Sequence, residues 1–358
     1  MIKLPEEQES SQPKLRVLAI TPKLPRDREP GSNAPLLRQI ESLRERDIDV
    51  EVIDMAGIPM LKYLFAIPKM YLRLRHVDIV HGHFGFCGWL GRLQFFKPLV
   101  VSFMGDDLLG EPTDSGEITR LSRVMVQMNK RLAPLARKVI VKSAEMGRVI
   151  APASSTVVAN GVDTELFYPI ETRVAREQLG WDLEERVILF PGNPKNPRKG
   201  HELAVRATKH AEELLNDKIR LQPMWGVKPN EVPIYMNACN AMWMTSMIEG
   251  SPNVVKEGLA CNLPIAAVPV GDTVELLTGV PGCEVRPRDP KQLGEVMAKI
   301  LSSEVECEGR ETLERHRLDL ASVAEKVESV YCEVLGLPQP STTETEASEA
   351  KDNMAGSH

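Results

Sequence analysis

The sequence predicts an α/β protein made of two doubly wound, Rossmann-like domains that face each other across a cleft. Short apolar runs alternate with amphipathic stretches along most of the chain, which is typical of βαβ units and a parallel sheet. The alternation stops at residues 160–171, a segment rich in turn formers, and then starts again. A hinge between two such units leaves a cleft, and open α/β sheets bind ligands at the carboxyl ends of their strands.

Apolar runs mark the predicted strands of each unit. In the first unit they lie at residues 17–20, 50–53, 78–83, 99–103, 138–142 and 156–159. In the second they lie at residues 186–192, 218–226, 241–246, 264–270 and 283–287. Helical spacing of apolar residues predicts helices at 34–46, 201–215, 232–238, from Ser251, at 291–301 and at 311–335.

These patterns set the predicted domain boundaries. They are a flexible N-terminus (1–14), a first domain (15–165), a second domain (166–320), a C-terminal helix that can pack back on the first domain (321–336), and a disordered tail (337–358). The tail is polar, acidic and almost free of apolar residues, which favours disorder.

The amino-acid composition argues against a membrane-spanning protein and against a zinc-binding or disulfide-rich one. The chain has 358 residues, of which 42% are hydrophobic, and a mean hydropathy of -0.20. No apolar run approaches the ~18–20 residues of a membrane span. The polar N-terminus lacks the apolar core of a signal peptide, so we expect a cytoplasmic protein. Its six cysteines form no C-x-x-C pair, which argues against a zinc site or a disulfide framework.

The net charge of -6 is unevenly distributed. Residues 1–165 hold 23 Lys and Arg against 20 Asp and Glu, so the acidic excess lies in the second half. A mildly basic first half fits contact with an anionic membrane surface, although uneven charge is also common without any such meaning. No nucleic-acid partner and no cofactor is expected.

The segment from Glu249 to Glu257, EGSPNVVKE, carries the most information. It follows a predicted strand, and Ser251 and Pro252 suit the N-cap and first position of a helix. The free amides of Asn253, Val254 and Val255 would then favour a phosphate group. Two carboxylates that flank such a helix end can bind sugar and ribose hydroxyls on either side of a diphosphate. The alternative is a capped surface helix with solvent-facing glutamates.

This segment resembles the E-x7-E motif of retaining GT-B glycosyltransferases, of the glycosyltransferase family 4 type. The run from residue 232 to 277 closely resembles a bacterial surface-polysaccharide subgroup related to teichuronic-acid glycosyltransferases. The resemblance implies the GT-B fold and a nucleotide-sugar donor. It implies that Glu249 contacts the transferred sugar and that Glu257 binds the ribose. It also implies that the residues between them, Gly250 to Val254 among them, offer backbone amides to the donor.

A basic loop at residues 190–200, FPGNPKNPRKG, also follows a predicted strand. It can set cations over a diphosphate leaving group, although it could equally be a solvated loop. The resemblance extends to the family's G-R…K-G element, here with Gly192, and assigns phosphate neutralisation to Lys199. Asn193 replaces the family arginine. Either Lys195 or Arg198 must therefore supply a second cation.

Three further candidates lie after strands of the first half. Gly31, with Ser32 beside it, opens the first helix, and glycine allows a ligand to approach the backbone closely. In the family this loop lies under the donor phosphate or the acceptor.

His83 ends the third strand, where a lone histidine is more often structural. The resemblance makes His83 a catalytic candidate because this region faces the acceptor in the resembling enzymes.

The segment Phe103 to Asp107 follows the fourth strand. Many relatives have a histidine where Met104 stands, and its loss puts the donor identity or full activity in question. Asp106 and Asp107 are expected as polar groups at the mouth of the cleft, on the acceptor side. Asp106 could orient an acceptor hydroxyl or belong to an Asx-type turn.

The segment from Lys62 to Arg75 mixes basic and aromatic side chains. It could form a membrane-surface helix that meets a lipid-linked acceptor. An ordinary amphipathic helix is favoured slightly, because Pro68 should interrupt the helix.

Together the residues and the resemblance predict a metal-independent hexosyltransferase that acts with retention. It would use a UDP- or GDP-linked sugar, with a saccharide or lipid-linked acceptor, in cell-surface polysaccharide synthesis. Two alternatives remain open: a nucleotide-sugar epimerase of the same fold, and a non-catalytic relative, suggested by Met104 and Asn193. A dinucleotide oxidoreductase is disfavoured because no G-x-G-x-x-G follows the first strand of either half.

Overall fold

The computed structural model describes residues 14–25, 33–57, 61–113 and 116–340. Gly31 and Ser32, most of the predicted flexible N-terminus (1–13) and most of the predicted tail (341–358) lie outside these residues. Within the described part of the chain, the strands form two separate sheets whose paired strands all run parallel.

The first sheet has six described strands in the order β2-β1-β3-β4-β5-β6. They are β1 (Arg16–Pro22), β2 (Asp49–Met55), β3 (Ile79–His83), β4 (Leu99–Ser102), β5 (Lys138–Val141) and β6 (Thr156–Val157). The helices that accompany them are α1 (Ala34–Glu45), α2 (Leu61–Arg73), α3 (Gly85–Arg92), α4 (Asp106–Leu109), α5 (Arg120–Leu132) and α6 (Ala144–Val149). Helices cover both faces of the sheet, which is why its strands read as continuous apolar runs.

The second sheet has five described strands in the order β11-β10-β9-β7-β8. They are β7 (Arg186–Phe190), β8 (Ile219–Pro223), β9 (Ala241–Met244), β10 (Ile265–Ala267) and β11 (Glu284–Val285). Its helices are α7 (Thr172–Leu179), α8 (His201–Leu215), α9 (Val232–Ala238), α10 (Asn253–Ala260), α11 (Thr273–Leu277), α12 (Pro290–Ser302) and α13 (Gly309–His316). The strand order of both sheets brings β1 and β7, the first strand of each half, to inner positions of the sheet.

The final helix, α14 (Leu320–Leu335), leaves the second domain and packs on α1 and the first sheet. One continuous helix over 311–335 was predicted, and this is wrong. Arg317 has a left-handed φ of 52° that ends α13, and the Asp319 side chain then caps α14 by accepting a hydrogen bond from Ser322 N at 2.8 Å. Helix propensity alone does not predict this break, because arginine is not a residue that usually ends a helix in the left-handed conformation.

A buried hydrogen bond anchors α14 to the sheet. The Tyr331 hydroxyl lies 2.7 Å from Nδ1 of His81, while Nε2 of His81 lies 2.8 Å from the Ser102 hydroxyl. Both His81 and Tyr331 are almost fully buried, so these contacts are shielded from water. His81 therefore has a structural role.

No helix among the described residues is both long and apolar enough to span a bilayer.

We expect Tyr331→Phe to destabilise the fold by about 1–3 kcal/mol, because it leaves a buried ring nitrogen of His81 without its partner. Urea denaturation followed by circular dichroism measures this. Tyr168→Phe, at a position 48% exposed, is the matched control and should change stability by less than about 0.5 kcal/mol. Equal stability of the two variants would show that the bond to His81 does not anchor α14.

Candidate active site

Glu249 lies at the centre of a charged cluster formed by two loops of the second domain. One loop follows β7 and the other follows β9. Oε1 of Glu249 accepts a hydrogen bond from Lys199 Nζ at 2.7 Å, and Oε2 accepts one from Arg198 Nη2 at 3.1 Å. The Glu249 side chain is only 11% exposed. The structure thus brings together three of the predicted catalytic residues.

The β7 loop is held tightly against the end of β9. Gly200 has a left-handed φ of 69°, and a Cβ atom there would lie 2.1 Å from the carbonyl oxygen of Thr245. The Thr245 hydroxyl also donates to the carbonyl oxygen of Lys199 at 3.0 Å. Only glycine fits this close approach, and it fixes where the Lys199 side chain starts.

Arg198, and not Lys195, supplies the second cation at Glu249. The Asn196 side chain accepts from Arg198 N at 3.1 Å and caps a short 3₁₀ turn (Pro197–Lys199). Asn193 accepts from the amide of Lys195 at 3.0 Å, and the Lys195 side chain is exposed. The loop therefore turns Arg198 toward Glu249 and leaves Lys195 in solvent.

The two cations keep Glu249 ionised. Burial raises the pKa of the Glu249 carboxyl, but the charges of Lys199 and Arg198 outweigh burial and bring its net pKa below the usual value. A nearly buried carboxylate is stable only when it is paired in this way. The cluster is consequently an ion network at neutral pH.

The helix after Glu249 begins later than the sequence suggested. Pro252 is the N-cap of α10 and makes no side-chain capping bond, so the expectation that Ser251 caps the helix is wrong. Val255 N donates to the carbonyl oxygen of Pro252 at 3.2 Å and is not free for a ligand. Among the described residues, Asn253 and Val254 are left as the helix-start amides without a main-chain partner.

Ser251 is instead part of a buried side-chain relay. Lys256 Nζ donates to the Ser251 hydroxyl oxygen at 2.6 Å, and this hydroxyl donates to Oδ2 of Asp272 at 2.5 Å. Lys256 is completely buried and Ser251 nearly so. The hydroxyl is used to hold the loop rather than to cap the helix, which is the physical reason for the corrected helix start.

Glu257, at the other end of the segment, faces the first domain. Its Oε1 lies 3.6 Å from Nη1 of Arg38 on α1, and each side chain is 16% exposed. Burial raises the pKa of Glu257, with the Arg38 charge opposing that rise. The Asn160 side chain donates to Oδ1 of Asn253 at 3.1 Å, a second link across the domains.

The loop after β4 of the first domain lies directly against the Glu249 loop. A Cβ atom at Gly250 would lie 2.9 Å from the carbonyl oxygen of Met104. Asp106, 43% exposed, has a carboxylate oxygen 3.8 Å from Nη1 of Arg198. Met104 and Asp106 therefore lie beside the charged cluster.

The expectation that Asp107 faces the mouth of the cleft is wrong. Asp107 is 2% exposed, and its carboxylate accepts hydrogen bonds from the amides of Gly85, Met104 and Gly105 at 3.0–3.1 Å. Burial raises its pKa to about 7, although these amide bonds oppose the rise. Asp107 shapes the loop from inside and offers no oxygen to an acceptor.

His83 is buried at the end of β3 and stacks on His81, with 3.9 Å between the ring centroids. Burial, with the nearby Lys142 charge, lowers its pKa to about 3. Its Nδ1 has no hydrogen-bond partner among the described residues. A neutral His83 can exchange hydrogen bonds with a hydroxyl group but carries no positive charge.

Comparison with known proteins gives glycosyltransferase matches for each half of the chain. The family model "Glycosyltransferase Family 4" matches residues 15–166, and "Glycosyl transferases group 1" matches residues 209–303. A D-inositol 3-phosphate glycosyltransferase of Mycobacterium avium is 25% identical over 320 residues, covering 76% of this chain and 74% of the relative. These matches support glycosyltransferase activity.

Solved structures show the fold. Sucrose-phosphate synthase from Thermosynechococcus elongatus superposes with a TM-score of 0.72 at 17% identity, covering 90% of this chain and 100% of that one. The fold is GT-B. HepE of Anabaena, in complex with UDP, superposes with a TM-score of 0.64 at 17% identity, covering 89% of this chain and all of HepE. The predicted fold class of two Rossmann-like domains is confirmed.

The GT-B cleft also holds two buried lysines that the sequence analysis did not single out. Lys142 directly follows β5 and is 1% exposed, and its Nζ has no hydrogen-bond partner among the described residues. Lys256 belongs to the Ser251 relay. Burial, together with the Lys256 charge, lowers the pKa of Lys142 to about 7, and the Asp107 charge opposes this shift. Lys142 directly follows a predicted strand, where residues of a site are expected. A lysine is usually exposed to solvent, however, so the sequence does not predict its burial.

The described residues contain no group of three or more His, Cys, Asp or Glu side chains arranged to hold a metal ion.

We expect Lys142 to make stability increase with pH above neutrality. Its folded pKa of about 7 lies below the ~10.4 of an unfolded lysine, so above pH ~7 the unfolded chain binds a proton that the folded chain has lost. The contribution of Lys142 to stability should therefore rise between pH ~7 and ~10, while buried thiols with a raised pKa, such as that of Cys87, act in the opposite direction. Lys142→Met should lose this rise, so its stability relative to the wild type should fall as the pH increases over this range.

Thermal denaturation across that pH range measures the effect. Lys209→Met, at an exposed position of α8, is the control and should keep the full rise. An unchanged pH dependence in Lys142→Met would contradict the assignment.

Proposed function

We propose that this chain is a retaining hexosyltransferase that uses a nucleotide-diphosphate sugar. In this proposal it transfers the sugar to a saccharide or lipid-linked acceptor in bacterial cell-surface polysaccharide synthesis, without a resident metal ion. The observation that carries the proposal is the cluster of Glu249, Lys199 and Arg198 in the GT-B cleft. It sits where the two domains meet, at the ends of parallel strands.

The chemistry requires cations at the leaving group. Breaking the bond between the sugar and its phosphate builds negative charge on the departing diphosphate. Lys199 and Arg198 are already oriented by Glu249, and preorganised charges stabilise such a transition state well. The free amides of Asn253 and Val254 at the start of α10 add the positive end of the helix dipole.

The carboxylates would bind the sugar parts of the donor. Glu249 has acceptor oxygens beside the cations, which suits hydroxyls of the transferred sugar. Glu257 lies at the next turn of α10, against α1, which suits the two hydroxyls of a ribose. In the proposal Gly192 lets the donor approach the main chain, whereas Gly250 makes room for the Met104 loop.

A uridine-linked donor is favoured over a guanosine-linked one. The Anabaena HepE structures are complexes with UDP, with UDP and glucose, and with UDP-glucose. The relatives named D-inositol 3-phosphate glycosyltransferase suggest an acceptor that carries hydroxyl groups and an anionic group.

Among the described residues, neither His83 nor Asp107 is suited to be a general base, and this supports the proposal of retention. His83 has a pKa of about 3, and Asp107 is enclosed by backbone amides. The leaving phosphate itself would then receive the acceptor proton on the same face of the sugar. His83 and Asp106 would position hydroxyl groups, and the Met104 side chain would line the acceptor side.

The rival within the same fold is a nucleotide-sugar epimerase. The protein named "putative UDP-N-acetylglucosamine 2-epimerase", from Listeria monocytogenes, superposes with a TM-score of 0.55 at 11% identity. An epimerase converts the donor in the absence of an acceptor. Incubating UDP-sugars with the enzyme alone, followed by chromatography of the sugar, separates the two functions.

Lys199→Ala should lower kcat/KM for sugar transfer by about 10²–10³-fold, because it removes a cation from the leaving diphosphate. Lys195→Ala removes an exposed lysine of the same loop and should change the rate by less than about threefold. Steady-state kinetics with a radiolabelled donor measures both. Similar losses in the two variants would show that the loop acts through general charge and not through Lys199.

Glu257→Ala should weaken UDP binding by about 10–100-fold, because the ribose loses charge-assisted hydrogen bonds. Isothermal titration calorimetry measures the affinity, and circular dichroism shows that the variant stays folded. Glu213→Ala, 63% exposed on α8, is the control. Unchanged affinity in Glu257→Ala would count against the ribose role.

A peripheral location at the inner face of the membrane is part of the proposal, since a lipid-linked acceptor would lie there.

A further inference from the structure

Large apolar side chains project into solvent from α2 and from the turn that follows α3. This apolar ridge comprises Leu64, Phe65, Leu72, Phe95 and Phe96, which are 61, 62, 76, 77 and 74% exposed. Pro68 was expected to interrupt α2, and this is wrong, because the helix runs through it. One side of α2 packs on the core through Ala66, Met70 and the partly buried Tyr63 and Ile67. The ridge residues Leu64, Phe65 and Leu72 lie in solvent, where an ordinary amphipathic helix carries polar side chains.

The turn that carries Phe95 and Phe96 is held firmly by a buried glutamine. Oε1 of Gln94 accepts hydrogen bonds from the amides of Phe96 and Lys97, each at 2.8 Å, and its Nε2 donates to the carbonyl oxygen of Lys97 at 2.9 Å. The Tyr71 hydroxyl donates to the carbonyl oxygen of Leu93 at 2.9 Å and joins the turn to α2. The two rings are consequently presented outward on a fixed backbone.

Positive charge surrounds the ridge. Residues 61–97 contain six Lys and Arg and a single acid, Asp78. Asp78 is already paired with Arg16, and Arg73 with Glu51. The remaining basic residues of this stretch are Lys62, Lys69, Arg75, Arg92 and Lys97.

A groove of about 860 Å³ lies between the end of α2 and the turn. Pro68, Leu74 and Phe96 give it apolar walls, and Arg75 and Lys97 also line it. A groove lined by both apolar and basic groups suits an acyl chain and its phosphate.

We propose that the apolar ridge docks this protein on a membrane surface that contains anionic phospholipid. The rings and leucines would enter the acyl boundary, and the basic side chains would reach the phosphate groups. A second copy of the chain is a poorer occupant, because two ridges facing each other would bring like charges together. This inference rests on the proposed function, in which membrane docking holds the cleft beside a lipid-linked acceptor.

Flotation with vesicles tests the proposal in the absence of donor and acceptor. The protein should float with vesicles of phosphatidylcholine and phosphatidylglycerol, and less with phosphatidylcholine alone. Phe95→Ser with Phe96→Ser should lower binding by about tenfold or more, since two large apolar side chains no longer enter the lipid. Trp225→Ser, at a position 67% exposed in the second domain, should bind like the wild type.

A charge variant probes the second half of the proposal. Lys69→Gln with Lys97→Gln should lower binding to the anionic vesicles and make the remaining binding less sensitive to salt. Binding of the phenylalanine variant equal to the wild type, or no wild-type binding to anionic vesicles, would overturn the proposal. A dimer in sedimentation velocity that the phenylalanine variant loses would assign the ridge to self-association instead.

The enzymatic proposal can fail separately. Vesicle binding without any sugar transfer would reject the transferase function and leave the surface assignment intact. The phenylalanine variant could lose vesicle binding and still transfer sugar to a soluble acceptor at the wild-type rate. That result would support both the transferase function and the membrane-docking proposal.

Discussion

The carboxylate of Glu249, held between Lys199 and Arg198, is the interaction on which the site depends. A charge that is 11% exposed is costly unless it is paired, and here two cations from the neighbouring loop pair with it. The same pairing restricts two long, flexible side chains before any ligand binds. Their conformational entropy is therefore lost on folding and not on ligand binding. Glu249 thus stabilises the two loops of the folded protein and, in the proposed function, preorganises the cations for a diphosphate.

Contact between the domains makes a second constraint, because several residues of the proposed donor site contact the first domain. Gly250 meets the backbone of Met104, and Glu257 meets Arg38. Lys142 and Lys256 belong to different domains, and the Lys256 charge disfavours the charged form of Lys142. Separating the domains relieves that repulsion but breaks the ion pair at Glu257. In the proposed function, a donor bound at Glu257 would therefore be coupled to domain closure.

The sequence predicts the α/β pattern, the two units and the loops that form the cluster, because buried parallel strands leave apolar runs that are hard to mistake. It does not predict which polar groups face inward. Asp107 follows a strand just as Asp106 does, but three backbone amides enclose it. Ser251 looks like a helix cap until Lys256 and Asp272 are seen to engage its hydroxyl. Such choices depend on contacts between segments far apart in the chain.

The replacement of a family arginine by Asn193 shows how the cluster can keep its charge. Asn193 shapes the turn by accepting from the amide of Lys195, and its carbonyl oxygen accepts from Asn196 N at 2.9 Å. Asn196 then caps the next turn, which carries Arg198 to Glu249. Arg198 supplies a guanidinium group from a later position in the loop. Among the described residues, two cations pair with Glu249. In the proposed function, the two cations at Glu249 therefore still supply the charge needed at a leaving diphosphate.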